Sequence, residues 1–171
     1  MLFFLPWNLN VTAQGDLFFS EYVESKESGL GNKCLEIYNP TSNSLNLSEY
    51  TIEFYNNGSN TPSTAPFTIG ERVSFVKIAP FQTVVLCQPA SDIGLLSVSD
   101  GTFKFGNYNG NDAIVLRYNG AIIDIIGAIG CNPGEAWTNG GNSTKDNTLV
   151  RKACIQKGNS TGDCAFAGLG T

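Results

Sequence analysis

Histidine is absent from this 171-residue chain, which leaves carboxylates, hydroxyls and thiols as the groups available for chemistry. Without an imidazole the usual general base of serine and cysteine hydrolases is missing, as are the HExxH zinc site and His-dependent nuclease mechanisms. No GxxxxGK[ST] loop or GxGxxG turn occurs either, so NTP hydrolysis and dinucleotide binding lack their signatures. A glycosidase needs only two carboxylates flanking a bond, and Glu21, Glu36, Glu53, Asp112 and Asp124 are the candidates. Each falls at a polar alternation position of a strand or beside a turn, where a solvated or turn-forming acid sits in any β-rich protein. Asn107, Asn109, Asn111 and Asp112 resemble the first half of a calcium loop, but apolar residues follow where the bidentate Glu at the twelfth place belongs. No catalytic residue, metal ligand or cofactor is therefore assigned.

The five cysteines, Cys34, Cys87, Cys131, Cys154 and Cys164, show no CxxC spacing, which argues for disulfides over a zinc or thioredoxin-type site. Cys154 and Cys164 flank a short polar loop and form the expected bridge, while at least one of Cys34 and Cys87, each inside an apolar run, is read as a small buried hydrophobe. N-x-[ST] sequons at Asn10, Asn46, Asn57, Asn142 and Asn159 are candidate glycosylation sites. Trp7 and Trp137 are weighed as a carbohydrate platform, but aromatic residues in a β-protein more often serve the core.

Elements able to position these residues are short, β-rich and bounded by turn residues, the pattern of a sandwich or barrel. Strands are expected at about Leu17–Val23, Cys34–Tyr38, Thr51–Tyr55, Val73–Ile78, Gln82–Cys87, Ala113–Tyr118, Ala121–Ile126 and Thr148–Cys154. Asn119-Gly120 separates two apolar runs and predicts a tight type I′ hairpin, because both central residues of that turn need φ > 0. Residues 59–66 read as a loop, and Gln88–Gly110 as an ordered crossover without a helix of its own. One domain of residues 15–171 follows an N-terminal segment, residues 1–14, that reads as a signal-peptide remnant or as an apolar arm for assembly. Its apolar residues are Leu2, Phe3, Phe4, Leu5, Trp7, Leu9 and Val11. No run is long enough to cross a bilayer. The net charge of −5 disfavours nucleic acid as a partner.

Leu17–Val23, Leu35-Glu-Ile-Tyr-Asn-Pro40 and Leu47–Gly58 together resemble the opening of a lamin-tail domain of the kind found in secreted bacterial proteins. Asn109–Leu116, Ile123–Gly127, Pro133–Trp137 and Thr144–Lys152 are similar to later motifs of that family, in the same order. The resemblance implies an all-β, immunoglobulin-like sandwich of about eight strands and brings no catalytic residue. With a possible secretion signal, one domain and an apolar arm, the chain itself reads as a secreted, extracellular or cell-surface structural or adhesive module that contacts other proteins, with copies of itself among them. The alternative is an accessory interaction domain separated from a larger secreted nuclease or phosphatase. After Lys152 the chain departs from the family pattern.

Overall fold

Two β-sheets face each other across a core built from alternating apolar side chains, in a computed structural model that describes residues 16–25, 31–104, 108–162 and 164. The strands are β1 (Phe18–Glu24), β2 (Lys33–Tyr38), β3 (Leu45–Asn46), β4 (Tyr50–Tyr55), β5 (Phe67–Thr68), β6 (Lys77–Ile78) and β7 (Thr83–Cys87). A short helix α1 (Ile93–Val98) precedes β8 (Gly101–Thr102), β9 (Ala113–Tyr118), β10 (Ala121–Ile126), β11 (Thr138–Asn139), β12 (Asn142–Ser143) and β13 (Thr148–Val150). One sheet has the order β13-β1-β2-β7-β8, the other β10-β9-β4-β5. All neighbours in both are antiparallel except β7 and β8.

Phe19, Tyr22, Leu35, Ile37, Val84 and Leu86 of the first sheet pack against Ile52, Phe54, Ile114, Leu116 and Ile126 of the second. The strict two-residue period breaks in β1, where a bulge between Phe19 and Glu21 puts Phe19 and Tyr22, three residues apart, on the same inward face. The hairpin joining β9 and β10 has Asn119 at φ 47° and Gly120 at φ 84°, as the Asn-Gly pair predicts.

Three expectations about the elements change. The strand expected over Val73–Ile78 shrinks to Lys77–Ile78, with Val73 making one isolated bridge to Gly101. The last strand ends at Val150 instead of Cys154, because the chain turns where the Ile155 N–H bonds the Lys152 carbonyl. The crossover does contain a helix: Asp92 caps α1 by accepting from the Gly94 N–H at 2.7 Å. Six residues are too few for helical periodicity to register in the sequence.

The disulfides also differ from expectation. Cys34 and Cys87 face each other in the β2–β7 ladder with Cα atoms 4.1 Å apart and are bridged. The Gln88 N–H bonds the Lys33 carbonyl, so the next pair, Cys34 and Cys87, is a non-hydrogen-bonded pair. Opposed side chains come closest at such pairs. Cys164 is bridged to Cys131, not to Cys154, and Cys154 is an exposed free thiol. The tail between them explains the exchange: Asn159 N–H bonds the Asp124 carboxylate, and Gly162 lies against Gly127 and Ala128, which carries Cys164 towards Cys131.

Candidate functional site

Three of the five candidate carboxylates are used inside the fold. Asp112, just before β9, accepts from the Asn57 N–H at 2.8 Å with one oxygen and from the Asn109 N–H at 3.0 Å with the other. Burial raises its pKa, and those two N–H bonds oppose the shift. Its carboxylate thus knits two turns together, the turn chemistry preferred over the calcium reading; Asn107 lies outside the described residues. Glu53 takes the Arg117 Nε at 2.8 Å and the Tyr55 hydroxyl at 2.5 Å on the outer face of the second sheet. Asp124 is fully buried and paired with Arg151 at 2.9 Å.

Glu21 and Glu36 are different. They are direct cross-strand partners of β1 and β2 on the outer face of the first sheet, with Val150 and Val85 completing the row on either side. Both line a groove of about 320 Å³. Val23, the Cys34–Cys87 bridge, and Leu95 and Val98 of α1 line it as well. Glu36 accepts from the Ser20 hydroxyl at 2.6 Å, and no lysine or arginine among the described residues pairs with either acid. Partial burial, and then the charge of Glu36, raise the Glu21 pKa above the ordinary carboxylate value. α1 also presents Ile93 and Val98, 77% and 66% exposed, to solvent. The arrangement is a small apolar slot with two adjacent negative charges on its floor. Chemically, such a slot can bind a group that combines apolar surface with positive charge.

A family model described as Lamin Tail Domain matches residues 10–130. The chain belongs to the lamin tail domain family. That family is a non-enzymatic, immunoglobulin-like β-sandwich of protein-interaction type. The match stops short of the motifs at Pro133–Trp137 and Thr144–Lys152. No curated protein and no solved structure matches this lamin tail domain.

Trp137 is not a surface platform. It is buried, and its indole N–H donates to the Asp112 carbonyl at 2.9 Å, over Gly127. A Cβ at Gly127, whose φ is +79°, would sit 2.5 Å from that nitrogen. The Trp137 N–H and the Thr144 hydroxyl both donate to the Gly110 carbonyl, so the post-match segment is tied to the Asp112 turn. Trp137→Phe is expected to cost about 1–3 kcal/mol by leaving the Asp112 carbonyl unsatisfied, read as a lowered urea midpoint without a change in m. Of the sequons, Asn57, Asn142 and Asn159 are exposed and Asn46 is half-buried at the cap of a short 3-10 turn. Asn10, Trp7 and the rest of the N-terminal arm lie outside the described residues. Sequence reasoning missed the wall of the groove: Leu95 and Val98 join it through the unforeseen α1, and Val85 through the β2–β7 register.

Proposed function

We propose that this lamin tail domain is a secreted, non-catalytic structural or adhesive module that associates with other protein chains, copies of itself included, by accepting an added strand. One observation carries the reading: the outer edge of β13. Glu24 N–H bonds the Asn147 carbonyl and Arg151 N–H bonds the Ser20 carbonyl, so residues 147, 149 and 151 turn their backbone groups towards β1. The amides and carbonyls of Thr148 and Val150 therefore point away from the sheet. Val150 is 70% exposed, so the edge offers both backbone bonds and apolar surface to an incoming strand.

Other edges are less available. The tail runs along β10, where Gly158 lies against the Ile123 carbonyl, and β5 and β8 are two residues each. The alternation of Leu9 and Val11 with polar neighbours suits the N-terminal arm to strand addition. Two disulfides support an oxidising destination.

Thr148→Pro removes an outward N–H without breaking a bond to β1. Sedimentation of the full chain at tens of micromolar is expected to show oligomers, and both Thr148→Pro and deletion of residues 1–14 are expected to leave monomer. A strictly monomeric full chain would end the self-assembly reading.

A further inference from the structure

The outer-face groove has a chemistry more specific than an open edge. We propose that it receives one cationic side chain, a lysine or an arginine, from an extended segment of a protein partner. The aliphatic stem lies between Val23 and Val85 beneath Leu95 and Val98, and the charged head sits against Glu21 and Glu36.

Charge complementarity supplies the first argument. Like charges placed directly opposite across two strands repel, with Cβ atoms about 5 Å apart. Glu21 and Glu36 occupy such a pair, and no lysine or arginine among the described residues is ion-paired with either. Lys33, next to Cys34 in β2, points away to its own partner Glu24 at 3.0 Å. A group entering the slot therefore meets two carboxylates, and no lysine or arginine is among the described residues that line it. A neutral apolar side chain would bury these acids further without pairing them, which costs free energy. An acidic one would be repelled.

Shape and apolarity supply the second. About 320 Å³ is at the lower limit of the ~300–1,000 Å³ typical of ligand pockets, enough for one long side chain and small for a folded element. Lysine and arginine combine an apolar stem with a charged head, and the slot repeats that order: valines and leucine on the walls, carboxylates on the floor. A lone divalent cation would use the acids and leave the walls bare, and would need six or more oxygens where two carboxylates supply four. The inference rests on the chain being an interaction module but not on the β13 edge or on self-assembly.

Methyl NMR of the full-length chain tests it with four capped tripeptides, acetyl-Val-X-Val-amide, where X is lysine, arginine, norleucine or glutamate. The lysine and arginine peptides are expected to shift the methyl signals of Val23, Val85, Leu95 and Val98 saturably. The norleucine and glutamate peptides are expected to leave them unmoved. The double variant Glu21→Gln/Glu36→Gln should weaken lysine-peptide binding about tenfold or more, and Leu95→Ala should weaken it while leaving both charges in place. Glu21 and Glu36 lie on the outer face of the sheet and Leu95 on α1, all three half-buried, and an unchanged methyl dispersion reports that the fold is intact. Equal binding of the norleucine peptide, unchanged binding in the double variant, or no saturable shift at millimolar lysine peptide would each overturn the proposal. Sedimentation of the same samples separates the two readings: oligomers without peptide binding would sink the groove alone, and peptide binding by a monomer would sink self-assembly alone.

Discussion

Asp124→Ala is expected to destabilise the domain by about 3–5 kcal/mol, a fall in Tm of roughly 10 °C or more for a chain of this size. The reason is where the charge sits. Asp124 is 0% and Arg151 4% exposed, and the Arg151 guanidinium meets the carboxylate at 2.9 and 3.1 Å. The same carboxylate accepts the Phe19 N–H and the Asn159 N–H, both at 2.8 Å, while Arg151 Nε donates to the Phe19 carbonyl at 2.8 Å. One ion pair thus joins β1, β10, the end of β13 and the tail, with the guanidinium 5.3 Å from the Phe18 ring centre. Removing the carboxylate strands a buried cation and orphans two backbone donors, and that loss outweighs the desolvation relieved. Replacing both partners with apolar residues, as in Asp124→Leu/Arg151→Met, removes the stranded charge and is expected to recover part of the loss, the Phe19 and Asn159 N–H groups still lacking their acceptor. Urea unfolding of the two single variants and the double variant measures the coupling. A single-variant cost under about 1 kcal/mol would show that the pair is not the clamp described.

Alkali should unfold the domain steeply above pH 10. Tyr108 is wholly enclosed, with its hydroxyl donating to the Val23 carbonyl at 2.9 Å and lying 3.2 Å from the Cys34 carbonyl. Burial first, and then Tyr22 and Glu24, push its phenol far above the ordinary value. Burial likewise raises Tyr22, beside Glu24 and Asp112, and Tyr50, whose hydroxyl donates to Asp16. In the unfolded chain these phenols ionise near pH 10. Above that pH the unfolded state has released protons that the folded state keeps, so stability falls as pH rises. Each phenol contributes ~1.4 kcal/mol per pH unit, and the three together about 4 kcal/mol per unit. The contribution is intact below pH 10, and by pH 12 the loss of about 8 kcal/mol equals a typical domain's whole stability. Absorbance at 295 nm and far-UV circular dichroism, followed together during short exposures, are expected to show a step of phenolate formation coincident with loss of β structure. Gradual ionisation with the circular dichroism retained would contradict it. Tyr108→Phe should reduce the slope by about a third.

Much of the sandwich is legible in the chain because sheet formation depends on a local rule. A period of two in residues such as Cys34-Leu-Glu-Ile-Tyr38 puts one set of side chains inward wherever the strand lies. The Asn119-Gly120 turn is equally local, since φ > 0 at two adjacent positions needs only those residues. The helix is not legible, because six residues carry too little pattern; only the Asp92 cap distinguishes it from a loop. Among the acids, Asp112 and Asp124 read from sequence like surface residues, yet both are buried. Their backbone donors come from residues as far as 55 and 105 positions away, and no window of sequence contains such partners.

The chain alone determined the fold class and the absence of imidazole chemistry, because composition and alternation are properties of residues taken singly or in short runs. Tertiary structure decided how the carboxylates and thiols are paired. The β2–β7 register set Cys34 opposite Cys87, and the path of the tail brought Cys164 to Cys131. The β1–β2 register set Glu21 beside Glu36 in the groove while Arg117 and Arg151 neutralised Glu53 and Asp124 elsewhere. Of five acids alike in sequence, Glu21 and Glu36 are the two that line the surface groove with no lysine or arginine among the described residues paired to them. The physical reason is that an acid's role depends on which donors lie within about 3 Å of it, and in this sandwich those donors arrive from strands far away in the chain.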